Sequence, residues 1–206
     1  MMALSAAARG SRVELVGRVG EDDRGEALLI ALANAGIGHA AVMRDPTRPT
    51  LSVGPTAPIA DDDHPRPAEE PVATAAGPAE TAAGSAAARL EGADVDLAVK
   101  YLEPSGVMVV ADGVSAEALG AAVSAAGYAQ LRLVVVVAPG SGGRAVPVDL
   151  PEDATVLAAP DGDADDAGAF EALVGAYAAA LDAGAAPAAA FAAARDGTGW
   201  ETAPAG

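Results

Sequence analysis

Asp165 and Asp166, just ahead of Gly168, open a stretch whose residue types and spacing could do chemistry. Beyond the glycine, Leu173, Ala176, Tyr177, Ala180 and Leu181 recur at helical spacing, and Gly184 supplies a stop. The start of such a helix collects unpaired backbone N–H groups and the positive end of the helix dipole. It can therefore hold a phosphate or a developing negative charge. A plainer role fits the same residues, because aspartates also cap alanine-rich helices. Other acidic groupings are weaker. Asp161, Asp163 and Asp165 have the opening spacing of a calcium loop, but Asp166 stands where its glycine belongs and Ala172 where its closing glutamate belongs. Asp61, Asp62, Asp63 and His64 read as a solvated acidic run, and the other histidine, His39, shares no ligand spacing with it.

The elements that must position these residues follow from the apolar pattern. Val13 to Val19 has the β-branched content of a strand, with a turn at Gly20 to Asp23. A helix is expected from Arg24 to Ala35, with Leu28, Leu29 and Leu32 on its apolar face, and then a strand from Ala40 to Arg44. Together these make a βαβ unit, whose strands are parallel. From 57 to 88 the chain has almost no large apolar residue, so the pattern predicts a flexible Ala/Pro-rich linker. Val95 to Leu102 and Val107 to Val110 read as strands, and Ser115 to Ala126 as a helix capped by Ser115. Leu131 to Ala138, with four consecutive valines, belongs at the centre of a parallel sheet, and Thr155 to Ala159 adds a short strand. Domain organisation follows: residues 1–56 carry the βαβ part, 57–88 the linker, 89–200 the remainder of the same α/β domain, and 201–206 a disordered tail.

Composition narrows the partners. A formal net charge of −17 repels nucleic acid and anionic membranes, so neither is expected as a partner. The chain has no cysteine, which removes thiol nucleophiles and thiolate metal sites and fits a reducing cytoplasm. The N-terminus has no basic region ahead of its short apolar run and does not read as a signal peptide. The alanine-rich run from Ala183 to Ala194 reads as a soluble helix.

Two blocks of residues resemble the ribokinase or PfkB-type family of sugar and nucleoside kinases. Early in the chain, Val16, Gly17, Val19, Gly20, Asp22 and Gly25, followed by Leu32, Gly36 and Ile37, match that family's Val-Gly-x-Val-Gly-x-Asp-x-x-Gly block and the helix after it. Late in the chain, Asp165, Gly168 and Ala169 match its Asp-Thr-Thr-Gly-Ala-Gly-Asp motif, while Phe170 replaces the second glycine and Glu171 the catalytic aspartate. The resemblance implies a ribokinase-like three-layer α/β/α fold with a mainly parallel sheet. It would be shortened before the first strand and between Pro160 and Gly168, where only seven residues intervene.

The resemblance also implies ATP- and Mg²⁺-dependent phosphorylation of a sugar or nucleoside hydroxyl, weakened or lost through those departures. Glu171 would be the base, Gly168 and Ala169 the anion-hole donors, and Asp161 and Asp165 the nucleotide or metal side. It leaves a homodimer open. A positive-φ requirement at Phe170 would cost about 1 to 3 kcal/mol, and the extra methylene of Glu171 shifts its carboxylate by about 1 to 1.5 Å. The alternative is a non-catalytic relative that binds a small ligand or a partner protein.

Overall fold

A computed structural model describes residues 1–51, 87–102, 105–138, 148–160 and 168–200. The organising strand is the valine-rich one, β4 (Arg132–Val137), which lies between β3 (Val107–Val110) and β5 (Thr155–Ala158), all parallel. Its side chains alternate between two faces, as strand geometry requires. Leu133 and Val135 pack with Val110 against Leu119, Ala122 and Ala126 of α4 (Ala116–Ala129) and Val95 of α3 (Gly92–Tyr101). Val134 and Val136 pack instead against Phe170, Leu173 and Tyr177 of α5 (Ala169–Asp182) and Ala190 and Ala194 of α6 (Pro187–Thr198). A strand apolar on both faces needs a helical layer on each, and this is the three-layer α/β/α arrangement.

The N-terminal βαβ unit forms as its pattern predicts. β1 (Glu14–Gly20) and β2 (Gly38–Asp45) pair in parallel, joined by α2 (Asp23–Asn34). Ahead of them a short helix, α1 (Met2–Ala7), lies across α5. Gly175 permits that approach: a Cβ there would meet the Met2 carbonyl and lie 2.7 Å from the Ser5 Cβ. Ser5 Oγ donates to the Ala172 carbonyl at 2.7 Å. Ala, Leu and Met favour a helix at 2–7, and packing against Gly175 holds so short an element in place.

One expected strand is a helix. Residues 95–102 carry β-branched valines, yet α3 covers Gly92–Tyr101, with Asp94 Oδ2 accepting the Glu91 N–H at 2.9 Å to close its first turn. Val95 and Ala98, three residues apart, are the buried face, and packing against α4 outweighs the modest strand preference of valine. With that segment helical, the described strands divide between two parallel sheets, β1–β2 and β3–β4–β5, rather than one.

The other elements match to within a few residues. Ser115 Oγ accepts the Ala118 N–H at 3.1 Å and caps α4, which runs on to Ala129. The alanine-rich run becomes α6, opened by Pro187 at its first turn. No helix among the described residues is long and apolar enough to cross a membrane. The linker expected at 57–88 lies outside the described residues except for Ala87 and Ala88, both buried, with the Ala88 N–H donating to the Pro49 carbonyl at 2.8 Å. The tail, 201–206, is also outside them.

Candidate functional site

The start of α5 is placed by what holds its other end. Arg132, the first residue of β4, donates through Nη1 to the Ala185 carbonyl at 2.8 Å, just past the helix. Tyr177 and Thr155, the first residue of β5, share a hydroxyl hydrogen bond of 2.9 Å. A Cβ on Gly106, just before β3, would lie 2.9 Å from Asp182 Oδ1. The C-terminal part of α5 therefore sits over the amino ends of the strands. A 14-residue helix spans about 21 Å, close to the length of β4, so Gly168 comes to the carboxyl edge of the same sheet. This is the edge at which open α/β folds bind ligands.

Gly168 is the N-cap in the left-handed region, φ +66°, and has no side chain of its own with which to cap the helix. A tight turn into α5 thus uses the freedom that only glycine has cheaply. Ala169 is the first helical residue. Glu171, in the third helical position, curls back over the glycine: its Oε2 lies 3.5 Å from where a Gly168 Cβ would be, with Met1 Cγ at 3.7 Å. That oxygen is buried and has no hydrogen-bond partner. Buried acceptors almost always have a donor, so this one needs an explanation.

Phe170 does not carry the expected strain. Gln130 is the only non-glycine with positive φ among the described residues, so Phe170 is ordinary helix. Its ring turns into the core and meets Trp200 edge-on, with centroids 5.5 Å apart and planes at 60°. Asp161 and Asp165 lie outside the described residues, as do Asp163, Asp166 and the run from Asp61 to His64. His39 Nδ1 lies 3.0 Å from the Ile37 carbonyl. Among the described residues no group of three acidic, imidazole or thiol side chains could hold a metal.

The early motif proves to be scaffold. Asp22 caps α2: Oδ1 accepts the Gly25 N–H at 2.8 Å and the Thr50 hydroxyl at 2.6 Å, while Oδ2 accepts the Thr50 N–H at 2.7 Å. These donors, the Thr50 hydroxyl first, lower the Asp22 pKa to about 2. Thr50 Oγ1 in turn accepts the Gly20 N–H at 2.9 Å. The glycines are needed for closeness, since a Cβ on Gly20 would lie 2.5 Å from the Arg48 carbonyl oxygen and one on Gly25 would meet the Gly20 carbonyl. The motif thus folds the loop after β2 onto the end of β1.

Sequence reasoning missed a second polar cluster. Arg18, inside β1, binds Asp94 of α3 with both arms, Nε to Oδ2 at 3.0 Å and Nη2 to Oδ1 at 2.7 Å. Its Nη1 reaches Asp45 at 3.4 Å and Glu91 at 3.7 Å. Asp45 also accepts from the Thr47 hydroxyl and N–H, which hold its pKa low. The available signal was a lone cation between valines in a half-buried strand, which demands an acidic partner. The partner itself, 76 positions away, was not legible.

No protein-family model matches the sequence, and no curated protein matches it significantly. Solved structures do. The crystal structure of Sa239 aligns with a TM-score of 0.61 at 12% identity, over 98% of this chain and 81% of that one. A PfkB protein from Polaromonas sp. JS666 aligns with a TM-score of 0.54 at 20% identity, over 96% of this chain and 84% of the other. A fructokinase from Xylella fastidiosa with bound ATP reaches only 0.41 at 15% identity, and this chain spans 57% of its length. At such identities the likeness concerns architecture. The fold is a ribokinase-like three-layer α/β/α arrangement with parallel sheets.

Proposed function

We propose that this chain is a weak phosphotransferase that moves the γ-phosphoryl group of ATP onto a hydroxyl of a sugar or nucleoside. The observation that carries this reading is the buried, unpartnered Glu171 Oε2 beside a glycine-opened helix at the carboxyl edge of a parallel sheet. An acceptor without a donor, in that place, fits a base awaiting a substrate hydroxyl. Glu171 takes the hydroxyl proton as the new O–P bond forms and the bond to the leaving ADP breaks, and Gly168 and Ala169 are the positions that the family resemblance assigns to the phosphoryl oxygens. Mg²⁺ would neutralise charge on the phosphates. Asp161 and Asp165 are the residues that would lie on the metal and nucleotide side. Glutamate in place of aspartate displaces the base, and an error of about 1 Å costs about a hundredfold in rate.

Calorimetry with ATP and Mg²⁺, followed by a coupled assay against ribose, fructose and nucleosides, tests the proposal. ATP binding with turnover that Glu171→Gln removes, while nucleotide affinity stays, supports it. Absence of binding at millimolar ATP overturns it. That result would favour a second reading, a non-catalytic ligand-binding relative, for which the packing of Met1 against Gly168 already speaks.

A further inference from the structure

We propose that α1 is an autoinhibitory cover: docked across α5, it closes over the Gly168–Glu171 helix start, and a ligand reaches Glu171 only when α1 lifts away. This rests on the reading of that helix start as the substrate side. The contact is specific. The three atoms nearest to a Cβ on Gly175 would be the Met2 carbonyl oxygen, the Ser5 Cβ and the Ala6 nitrogen, so a side chain at that position would push α1 off. Ser5 Oγ donates to the Ala172 carbonyl at 2.7 Å while accepting from Arg9 Nη1 at 2.8 Å, which directs its proton to α5. Met2 packs on the cluster that contains Phe170 and Leu173, and Ala6 is buried. Ala172 is one helical turn from Gly168, its N–H donating to the Gly168 carbonyl at 3.1 Å. Met1 Cγ and Glu171 Oε2 then flank the same point above Gly168, at 3.7 Å and 3.5 Å from it.

The same contact is built to come apart. A helix of six residues lies well below the roughly 12 to 15 at which helices become marginally stable alone in water, so α1 is ordered only while docked. Its departure also relieves a cost, because water then reaches the Glu171 oxygen that is buried without a donor. Gly10 supplies the hinge, left-handed at φ +88° with open space where a side chain would stand, and residues 11–13 follow it before β1 begins at Glu14. β1 therefore keeps its pairing while α1 moves. Met1 is 69% exposed, so the outer side of the cover is already in water. A cover that leaves accounts for the Met1 contact without discarding the acid beside it.

Gly175→Ala tests this in the full chain, because the added methyl strikes α1 while alanine favours the α5 helix itself. Hydrogen exchange followed by NMR should show residues 5–8 losing protection while the interior of α5 keeps it. Labelling of Glu171 by a water-soluble carbodiimide and an amine should speed up about tenfold or more, the factor expected when the open state of the parent chain is populated at about a tenth or less. Apparent affinity for ATP with Mg²⁺ should tighten by the same factor. Ser5→Ala, which removes one hydrogen bond, should move both readouts in the same direction by less. If Gly175→Ala also loosens α5, Ser5→Ala decides by the same criteria. Faster labelling with no ATP binding in any of the chains keeps α1 as the cover of Glu171 and overturns the phosphotransferase reading alone. Unchanged labelling of Glu171, or ATP binding equally tight with and without the docked helix, overturns the proposal.

Discussion

The β1–α2–β2 unit and the β3–β4–β5 unit share parallel strands and crossover helices, yet different forces hold them. In the first, α2 buries only Gly25, and Leu28 and Ile30 remain 41% and 54% exposed. Its order rests on polar locks, Asp22 with Thr50 and Arg18 with Asp94 and Asp45. In the second, both faces of β4 are sealed by helices, and the largest fully buried side chains, Tyr177, Leu173, Val134 and Val174, are all there. The comparison separates likeness from chemistry. The motif that matches the kinase family best builds scaffold in the polar unit, whereas the unpartnered acid lies on the apolar unit where the match departs.

The sharpest way to break this contrast is to cut the apolar unit. Leu173→Ala should lower stability by about 3 kcal/mol in urea denaturation, as buried leucine truncations do; a loss under about 1 kcal/mol would mean the α5 face is not the core. Next is the link between the units. Arg18→Met leaves two buried carboxylates without their cation and should cost about 2 kcal/mol, with part recovered when Asp94→Leu is added. If the double variant is no better than the single, the ion pair is not what joins β1 to α3.

Acid should act on the polar unit alone. The Asp22 pKa is lowered to about 2 when folded, so its contribution is present above the ordinary carboxylate value of about 4 and is lost as pH falls from there through 2. Asp45 is shifted in the same direction. Hydrogen exchange should therefore show residues 45–51 opening before α5 as pH drops through that window. Simultaneous opening would unite the two units. The smallest effect belongs to Leu28→Ala, which should change stability by less than about 0.5 kcal/mol because the side chain is already largely in water.

Much of this was legible in the residues. Four valines in a row dictated a strand covered on both faces, glycines marked the helix ends, and the Val-Gly-x-Val-Gly block gave the βαβ unit, because each depends on neighbours in sequence. Residues 95–102 were misread for the complementary reason: valine prefers strands only weakly, and a partner helix far along the chain settled the matter.

The sequence by itself determined the parallel α/β class and the place where Gly168 opens a helix, since periodicity and backbone freedom are local properties. Only the tertiary structure decided that Phe170 points inward and that Arg18 reaches Asp94. It also decided that the Glu171 oxygen is buried without a donor. Those outcomes depend on which distant groups fill the space around a side chain, and chain order carries no record of that.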